Sequence, residues 1–223
     1  MDHYSSQPLS GSNTESQLLT LYPMIHELVG DAYFHLLSET YASYYNEDSS
    51  PEHFGDRFGL LLLKHYIEHP ELDKLAVLPE IARLEWLMHD SEMSEDIYVL
   101  NAAQLDTVPV EAQPQICFHA CPSIRLMYSR WPLHAIWQAF ERGDMSHLSR
   151  VGGEKWLCIY QQHINHEDKV TVEILDDSLA QLLGAILKGY TLEQLCQLDL
   201  DVHRYLPVLV QKHWLDYFTL KEA

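Results

Sequence analysis

The spacing of apolar residues changes near residue 101, and this change divides the chain into two halves that cannot share one architecture. Before it, apolar side chains recur every three or four residues, which is the repeat of a helix face. After it, Val170, Val172 and Ile174 alternate with polar residues as in a strand. The sequence therefore predicts an α+β fold, with an all-helical N-terminal domain followed by a smaller α+β C-terminal domain that has a short, mainly antiparallel sheet.

Helical spacing and capping residues predict four helices in the N-terminal half. Gly30 suits the left-handed stop of the first helix, and Asp31 is a suitable cap for the second. Pro51 after a serine is typical of a helix start, and Pro70 is expected to end that third helix. The predicted helices cover about residues 15–29, 31 onwards, 50–70 and 75–98.

The C-terminal half is predicted to contain strands and shorter helices. Residues 165–168 favour a turn, so 156–175 is predicted to be a hairpin. Thr191 and Gln194 form a near capping box, and the last helix is expected to bend at Pro207. Strands are predicted at 115–128, 155–162 and 169–175, and helices at 132–140, 177–188, 191 onwards and 202–218.

These segments predict four parts of the chain. Residues 1–13 are rich in Ser, Gly, Asn and Gln and are expected to form a flexible tail. A helical domain is predicted at 14–100 and an α+β domain at 115–221. Between them, residues 101–114 contain two prolines and short polar stretches, which is typical of a linker.

The charge balance disfavours two classes of partner. Thirty-three acidic residues against fourteen Lys and Arg give a formal net charge of −19. Nucleic-acid binding requires clustered Lys and Arg that displace counterions from phosphates, and a chain this acidic is repelled at long range. Anionic membrane surfaces are disfavoured for the same reason. A partner with a basic surface is favoured.

The lack of a recognisable targeting signal, together with the cysteine usage, favours a bacterial cytoplasmic location. No segment approaches the roughly 18 apolar residues that a membrane-spanning helix needs. Residues 1–16 contain acids but no Lys or Arg, unlike a secretory signal. The four cysteines form no CxxC pair, so they are expected to be reduced and mostly buried.

Residues that could carry chemistry are present but not in a catalytic pattern. Cys117, His119 and Cys121 would share one strand face, and zinc accepts such donors, but a fourth ligand and a CxxC knuckle are missing. These three are weak metal candidates, and buried thiols beside a surface histidine are the simpler interpretation. No nucleophile elbow or phosphate-binding glycine loop is present. No catalytic residue, metal or cofactor is therefore predicted.

The segment LPEIARLEWLMH at 78–89 is more distinctive. On a helix Leu84 and Leu87 pack inward, while Arg83, Glu85, Trp86 and His89 spread over the other faces. The simple interpretation is a core helix with a surface ion pair between Glu85 and His89. The functional interpretation is a polar and aromatic ridge that contacts a partner, because Trp and Arg are favoured interface anchors.

Several motifs together resemble the HvfC/BufC family, which has long been described as a DNA-binding domain family. The segment 78–89 is similar to its LPDLARLEWAxH signature. Residues 22–34 resemble its FPxxxxLVGxxxF, and residues 50–63 resemble its SPxxxxxGxxFxxFL. Further similarity lies at 122–137, which contains SRWP and IW, and in WLCIY with the helix that follows it. The likeness covers about residues 20–200.

This resemblance implies a non-catalytic partner subunit of a multinuclear non-haem iron oxidase (MNIO). Such pairs modify cysteines in ribosomally made precursor peptides (RiPP biosynthesis), and the iron ligands belong to the oxidase. The adaptor is expected to help hold a small Cys-containing precursor peptide. The alternative is a DNA-binding transcriptional regulator, as the family's description suggests.

An exposed strand edge is a physical means of holding such a peptide. The hairpin 156–175 and a strand at 116–125 are the predicted edges. Ile159→Pro is therefore expected to abolish peptide binding while the helical domain stays folded. The candidate partner- or peptide-binding residues are Arg83, Glu85, Trp86, His89, Trp131, Trp137, Trp156, Ile159 and Tyr160.

Overall fold

The computed structural model describes residues 11–45, 54–69, 76–95, 100, 102–145, 153–164 and 167–221. It confirms the predicted α+β fold. The helices are α1 Gly11–Leu21, α2 Pro23–Val29, α3 Asp31–Tyr45, α4 Phe58–Glu68, α5 Leu78–Glu92, α6 Ala102–Leu105, α7 Leu133–Glu141, α8 Asp177–Leu187, α9 Leu192–Cys196 and α10 Val202–Gln211. The strands are β1 Ile116–Ala120, β2 Arg125–Ser129, β3 Lys155–Ile164, β4 Glu167–Leu175 and β5 Leu215–Leu220.

The chain divides into two compact units. Unit 1 comprises Met1–His89 and Ala135–Arg150, and unit 2 comprises Asp90–His134 and Val151–Ala223. This division falls at residue 90 rather than in the linker predicted at 101–114, where the short helix α6 forms. The tail predicted at 1–13 overlaps α1, which begins at Gly11, and residues 1–10 lie outside the described part.

The helix predicted at 15–29 is in fact two helices. Tyr22 separates α1 from α2, with φ −130° and ψ 51°, and Pro23 is the first residue of α2. The break follows from Pro23, because a proline ring disfavours helical geometry at the residue before it. The predicted stop at Gly30 is confirmed by its φ of +76°, and α3 begins at Asp31.

Unit 1 packs around the inner faces of its helices. The apolar faces of α3 and α4 are buried. The start predicted at residues 50–52 and the stop at Pro70 lie outside the described residues, and α5 is shorter than the helix predicted at 75–98. The core residues with at most 4% exposure on α3, α4 and α5 include Phe34, Leu37, Tyr41, Phe58, Leu61, Leu62, Leu78, Ile81 and Leu84.

Unit 2 contains two small antiparallel sheets, with strand orders β2-β3-β4 and β1-β5. The hairpin predicted at 156–175 is confirmed as β3 and β4, and its tip at residues 165–166 lies outside the described part. The single strand predicted at 116–125 is wrong, because Cys121 and Ile124 enclose a turn between β1 and β2. These two strands belong to different sheets.

The helix predicted at 202–218 is also wrong in its second half. Helix α10 ends at Gln211 and retains Pro207 inside it, and His213 then adopts a left-handed φ of +56°. Residues Leu215–Leu220 form β5, which pairs with β1 from Ile116↔Leu220 to Ala120↔Leu215. Pairing with a strand about a hundred residues earlier overrides the helical spacing of this segment.

The capping box predicted for α9 is confirmed, and α8 is capped as well. Asp176 caps α8 by accepting the Leu179 N–H at 2.8 Å, and Gly189 follows the helix with φ +73°. Thr191 and Gln194 form both bonds of a capping box at the start of α9. Within the described residues, no helix is long and apolar enough to cross a membrane.

Candidate functional site

Helix α5, which carries the family-like signature, buries a different set of side chains from the expected one. Leu84 is fully buried as predicted, Leu87 is only half-buried, and Arg83 is exposed. Trp86 and His89 are half-buried, with ring centroids 5.6 Å apart. Glu85, however, is only 4% exposed. The prediction that Glu85 lies on the surface, as an ion-pair partner of His89 or as a partner contact, is therefore wrong.

Glu85 instead closes the start of α2. Its Oε1 accepts the backbone N–H of Met24 at 2.5 Å, and its Oε2 accepts that of Ile25 at 3.4 Å. Tyr22 provides no side-chain cap and Pro23 has no N–H, so Glu85 satisfies donors that this helix start leaves open. Burial raises the pKa of Glu85 well above its usual range, and the two N–H donors offset this only in part.

A second buried contact surrounds Gly55 in the turn before α4. The Tyr22 hydroxyl donates to the Gly55 carbonyl at 2.6 Å, and the Gly55 N–H donates to the Tyr41 hydroxyl at 3.0 Å. Burial raises the pKa of both phenols, so both stay protonated. These groups hold the helices of unit 1 in place and offer no exposed reactive atom.

The aromatic candidates of unit 2 lie mainly on β3. Trp156 is half-buried, and its ring centroid is 5.2 Å from that of Tyr128. Tyr160 is also half-buried and lies 5.0 Å from Trp214. Ile159 has no exposed surface, and both backbone edges of its strand are paired because β3 is central in the sheet. As a surface contact, Ile159 was therefore predicted wrongly.

Trp131 lies just before α7 and Trp137 lies within it, and the two side chains differ in exposure. Trp131 is half-buried and keeps part of its surface accessible. Trp137 is only 9% exposed, so its prediction as a partner contact is wrong. Of the predicted contact residues, those with accessible surface are Arg83, Trp86, His89, Trp131, Trp156 and Tyr160.

A polar cluster that no sequence motif indicates lies on one face of the β2-β3-β4 sheet. Lys212 Nζ lies 2.8 Å from both carboxylate oxygens of Glu173, and the Tyr160 hydroxyl donates to Glu173 at 3.2 Å. Burial and the Glu173 charge raise the pKa of Tyr160. The carboxylate is thus neutralised within the fold, and the polar end of Tyr160 already has a partner.

The weak metal candidates do not converge. Cys117 and Cys121 are buried, and the Cys121 thiol donates to the His213 carbonyl at 3.1 Å. His119 stacks on Tyr217, with ring centroids 4.3 Å apart. Among the residues that the structure describes, no group of three or more His, Cys, Asp or Glu side chains could hold a metal ion.

The outer edge of β4 is the feature of unit 2 that fits a binding role. In the described part of the chain β4 pairs only with β3. Both sheet faces carry buried side chains, with Cys158 and Leu175 on one and Leu157 and Val172 on the other. Much of each face therefore belongs to the core, and the edge of β4 presents backbone groups that no described strand pairs.

The direction of the backbone groups on this edge follows from one hydrogen bond. The Gln161 N–H donates to Ser123 Oγ on the β2 side. The backbone N–H and C=O groups of odd-numbered β3 residues therefore point towards β2, and those of even-numbered residues point towards β4. Because Tyr160 is paired with Thr171, the backbone N–H and C=O groups of odd-numbered β4 residues point towards β3. The N–H and C=O groups of Val170, Val172 and Ile174 point outward.

One of these outward groups already has a hydrogen-bond partner, His134. Its imidazole donates to the Val172 carbonyl, and the Glu173 charge lies close enough to act on it. Burial nevertheless lowers the pKa of His134, so the ring is neutral at neutral pH. Ile174 lies further along the edge, with 43% of its surface exposed.

Side chains from β2 and β3 hold the end of α5 within unit 2. Arg125 Nε donates to the Asp90 carboxylate at 2.5 Å. The Gln161 amide nitrogen donates, at 2.8–3.0 Å, to the carbonyls of Ser91, Glu92 and Ser94. These bonds engage carbonyls at the end of α5 and just beyond it. No local sequence signal indicates them, because the partners are 35 to 70 residues apart.

Comparisons with known proteins give the chain no family. No model of a known protein family matches it, and no curated protein matches it. The likeness to the HvfC/BufC family therefore stays a prediction from the sequence motifs.

Proposed function

We propose that this chain is a non-catalytic partner subunit of an MNIO-type iron oxidase in the bacterial cytoplasm, where it helps to hold a small Cys-containing precursor peptide. The observation that carries the proposal is the outer edge of β4, which no described strand pairs, in a sheet with core side chains on both faces. The motif likeness at residues 22–34, 50–63 and 78–89 supplies the class of partner.

The edge supports binding of an extended peptide by strand addition. Val170 offers both an N–H and a C=O, and Val172 offers an N–H in addition to the carbonyl that His134 holds. Main-chain bonds of this kind bind peptides of varied sequence, while side chains beside the edge select among them. Exposed Ile174 favours an apolar side chain at the neighbouring position of the peptide.

The charge of the chain supports a basic partner and opposes the DNA-binding alternative. With a net charge of −19, long-range attraction favours a cationic protein surface or peptide. Two of the fourteen basic side chains, Arg125 and Lys212, are engaged by the acids Asp90 and Glu173. No observation in the described residues favours DNA as the ligand.

Affinity capture from native cells tests this function. Tagged protein is purified at moderate and at high salt, and the captured proteins and peptides are identified by mass spectrometry. We expect an iron oxidase together with a small Cys-containing peptide, with little loss of the peptide at high salt. Retention on a DNA column that falls steeply with salt, without an oxidase, would favour the regulator and contradict the proposal.

A further inference from the structure

Glu85 is a buried acid that no described cation neutralises. Its only described hydrogen bonds are with the N–H groups of Met24 and Ile25. No ion pair of the described residues includes it, although both its oxygens lie inside unit 1. An ionised carboxylate held in such surroundings loses more hydration than two N–H donors replace.

The described basic groups around this carboxyl are directed to other acids: Arg57 lies 4.0 Å from Asp56, and His26 on α2 lies 2.8 Å from Asp31. Tyr22 precedes α2, Tyr41 lies on α3, and Asp56 lies in the turn before α4, and all three interact electrostatically in this cluster. On α5 itself, His89 lies one turn beyond Glu85, and its described ring contact is with Trp86. Each neighbour that ionises as pH rises therefore adds negative charge.

From this geometry we propose that unit 1 contains a proton-dependent clasp, in which protonated Glu85 holds the start of α2 on α5 and loss of the proton loosens that start. A neutral carboxyl retains one carbonyl oxygen for the Met24 N–H and needs no counter-charge. An ionised carboxylate is stabilised by water, which reaches it only when the first turn of α2 opens. The clasp lies in the same helix as the family-like signature and is independent of the proposed peptide site.

The direction of the effect follows from the raised pKa of Glu85. The folded state binds this proton more tightly than the unfolded state, so the stabilisation is complete below the unfolded pKa of about 4.5. It is lost as pH rises from there through the folded pKa. Over that pH window, the equilibrium constant for opening of the first turn of α2 increases by up to about tenfold per pH unit.

Amide hydrogen exchange of Met24 and Ile25 between pH 5 and 9 tests the clasp. Glu85→Gln is the matched variant, because its amide mimics the protonated carboxyl and does not titrate. After correction for intrinsic exchange, we expect protection of these two amides to fall with pH in the wild type and to stay level in Glu85→Gln. At each pH, the ratio of the opening constants of the two proteins gives the contribution of Glu85 protonation to the opening equilibrium.

A constant ratio from pH 5 to 9 would overturn the proposal, as would greater protection of the wild type at high pH. If Glu85→Gln does not fold, Glu85→Met serves in the same comparison, because it fills the space and cannot titrate. Phe34 on α3 provides an internal reference amide, since its N–H bonds to the Gly30 carbonyl at 3.0 Å and not to Glu85.

Discussion

Ile159→Pro is expected to unfold the β2-β3-β4 sheet rather than to remove a binding edge. Ile159 lies in the central strand, has no exposed surface and pairs with both Arg125 and Val172. Proline removes the N–H that points towards β2 and costs about 3 kcal/mol or more, with loss of a buried side chain in addition. That is a large part of a domain's typical stability of about 5–15 kcal/mol.

Hydrogen exchange measured on proteolytic fragments checks this result. Fragments from β2, β3 and β4 should lose protection in Ile159→Pro, while fragments from α3 and α4 keep theirs. Val170→Pro is the matched control, because its N–H points away from β3 and the ladder should survive. Retained protection of β3 in Ile159→Pro would contradict the central position of β3 in the order β2-β3-β4.

Gly55→Ala is expected to destabilise unit 1 by about 3 kcal/mol. Gly55 has φ +95°, where an L side chain is strained, and an added Cβ would lie 2.6 Å from Leu21 Cδ1. Its N–H and C=O are both bonded to buried tyrosine hydroxyls, so the backbone cannot shift without breaking the bonds to Tyr41 or Tyr22. The strain of the positive φ therefore stays in the backbone, while the end of the Leu21 side chain moves to admit the Cβ.

Urea denaturation followed by circular dichroism measures this change, and Gly143→Ala is the control. Gly143 also lies in unit 1 and has φ +66°, but nothing lies within 4 Å of an added Cβ. Its substitution should cost only the left-handed strain of about 1 kcal/mol. Equal losses in the two variants would mean that the close packing at Gly55 has no energetic effect.

Features set by neighbouring residues were predictable from the sequence. The change of period near residue 101 gave the α+β class, and the Thr191–Gln194 capping box was visible because both partners lie within one turn. The stop at Gly30 was likewise local. Each of these depends on at most a few consecutive residues.

Features set by distant partners were not predictable. Residues 215–220 have helical spacing in continuation of α10 but pair with β1, about a hundred residues earlier. Glu85 was placed on the surface because an acid on a helix usually faces solvent, and its donors lie 61 residues away. One clue was available: α2 begins with Tyr22-Pro23 and has no Ser, Thr, Asp or Asn to cap it.

The candidate site shows the same division between local and distant information. The hairpin was predicted correctly, but which strand forms its edge depends on β2, which arrives from an earlier segment. Because β2 pairs along one side of β3, the edge of the hairpin that no described strand pairs is the outer edge of β4. Ile159 was therefore the wrong position for a proline test, and Val170 is the right one.

The affinity of the captured precursor peptide for Val170→Pro, relative to the wild type, tests the account most directly. Fluorescence anisotropy with the labelled peptide gives both dissociation constants, and exchange protection of β3 confirms that the variant is folded. Loss of the outward N–H and the presence of the proline ring should weaken binding by about tenfold or more. Unchanged affinity in the folded variant would contradict the assignment of the peptide to the β4 edge.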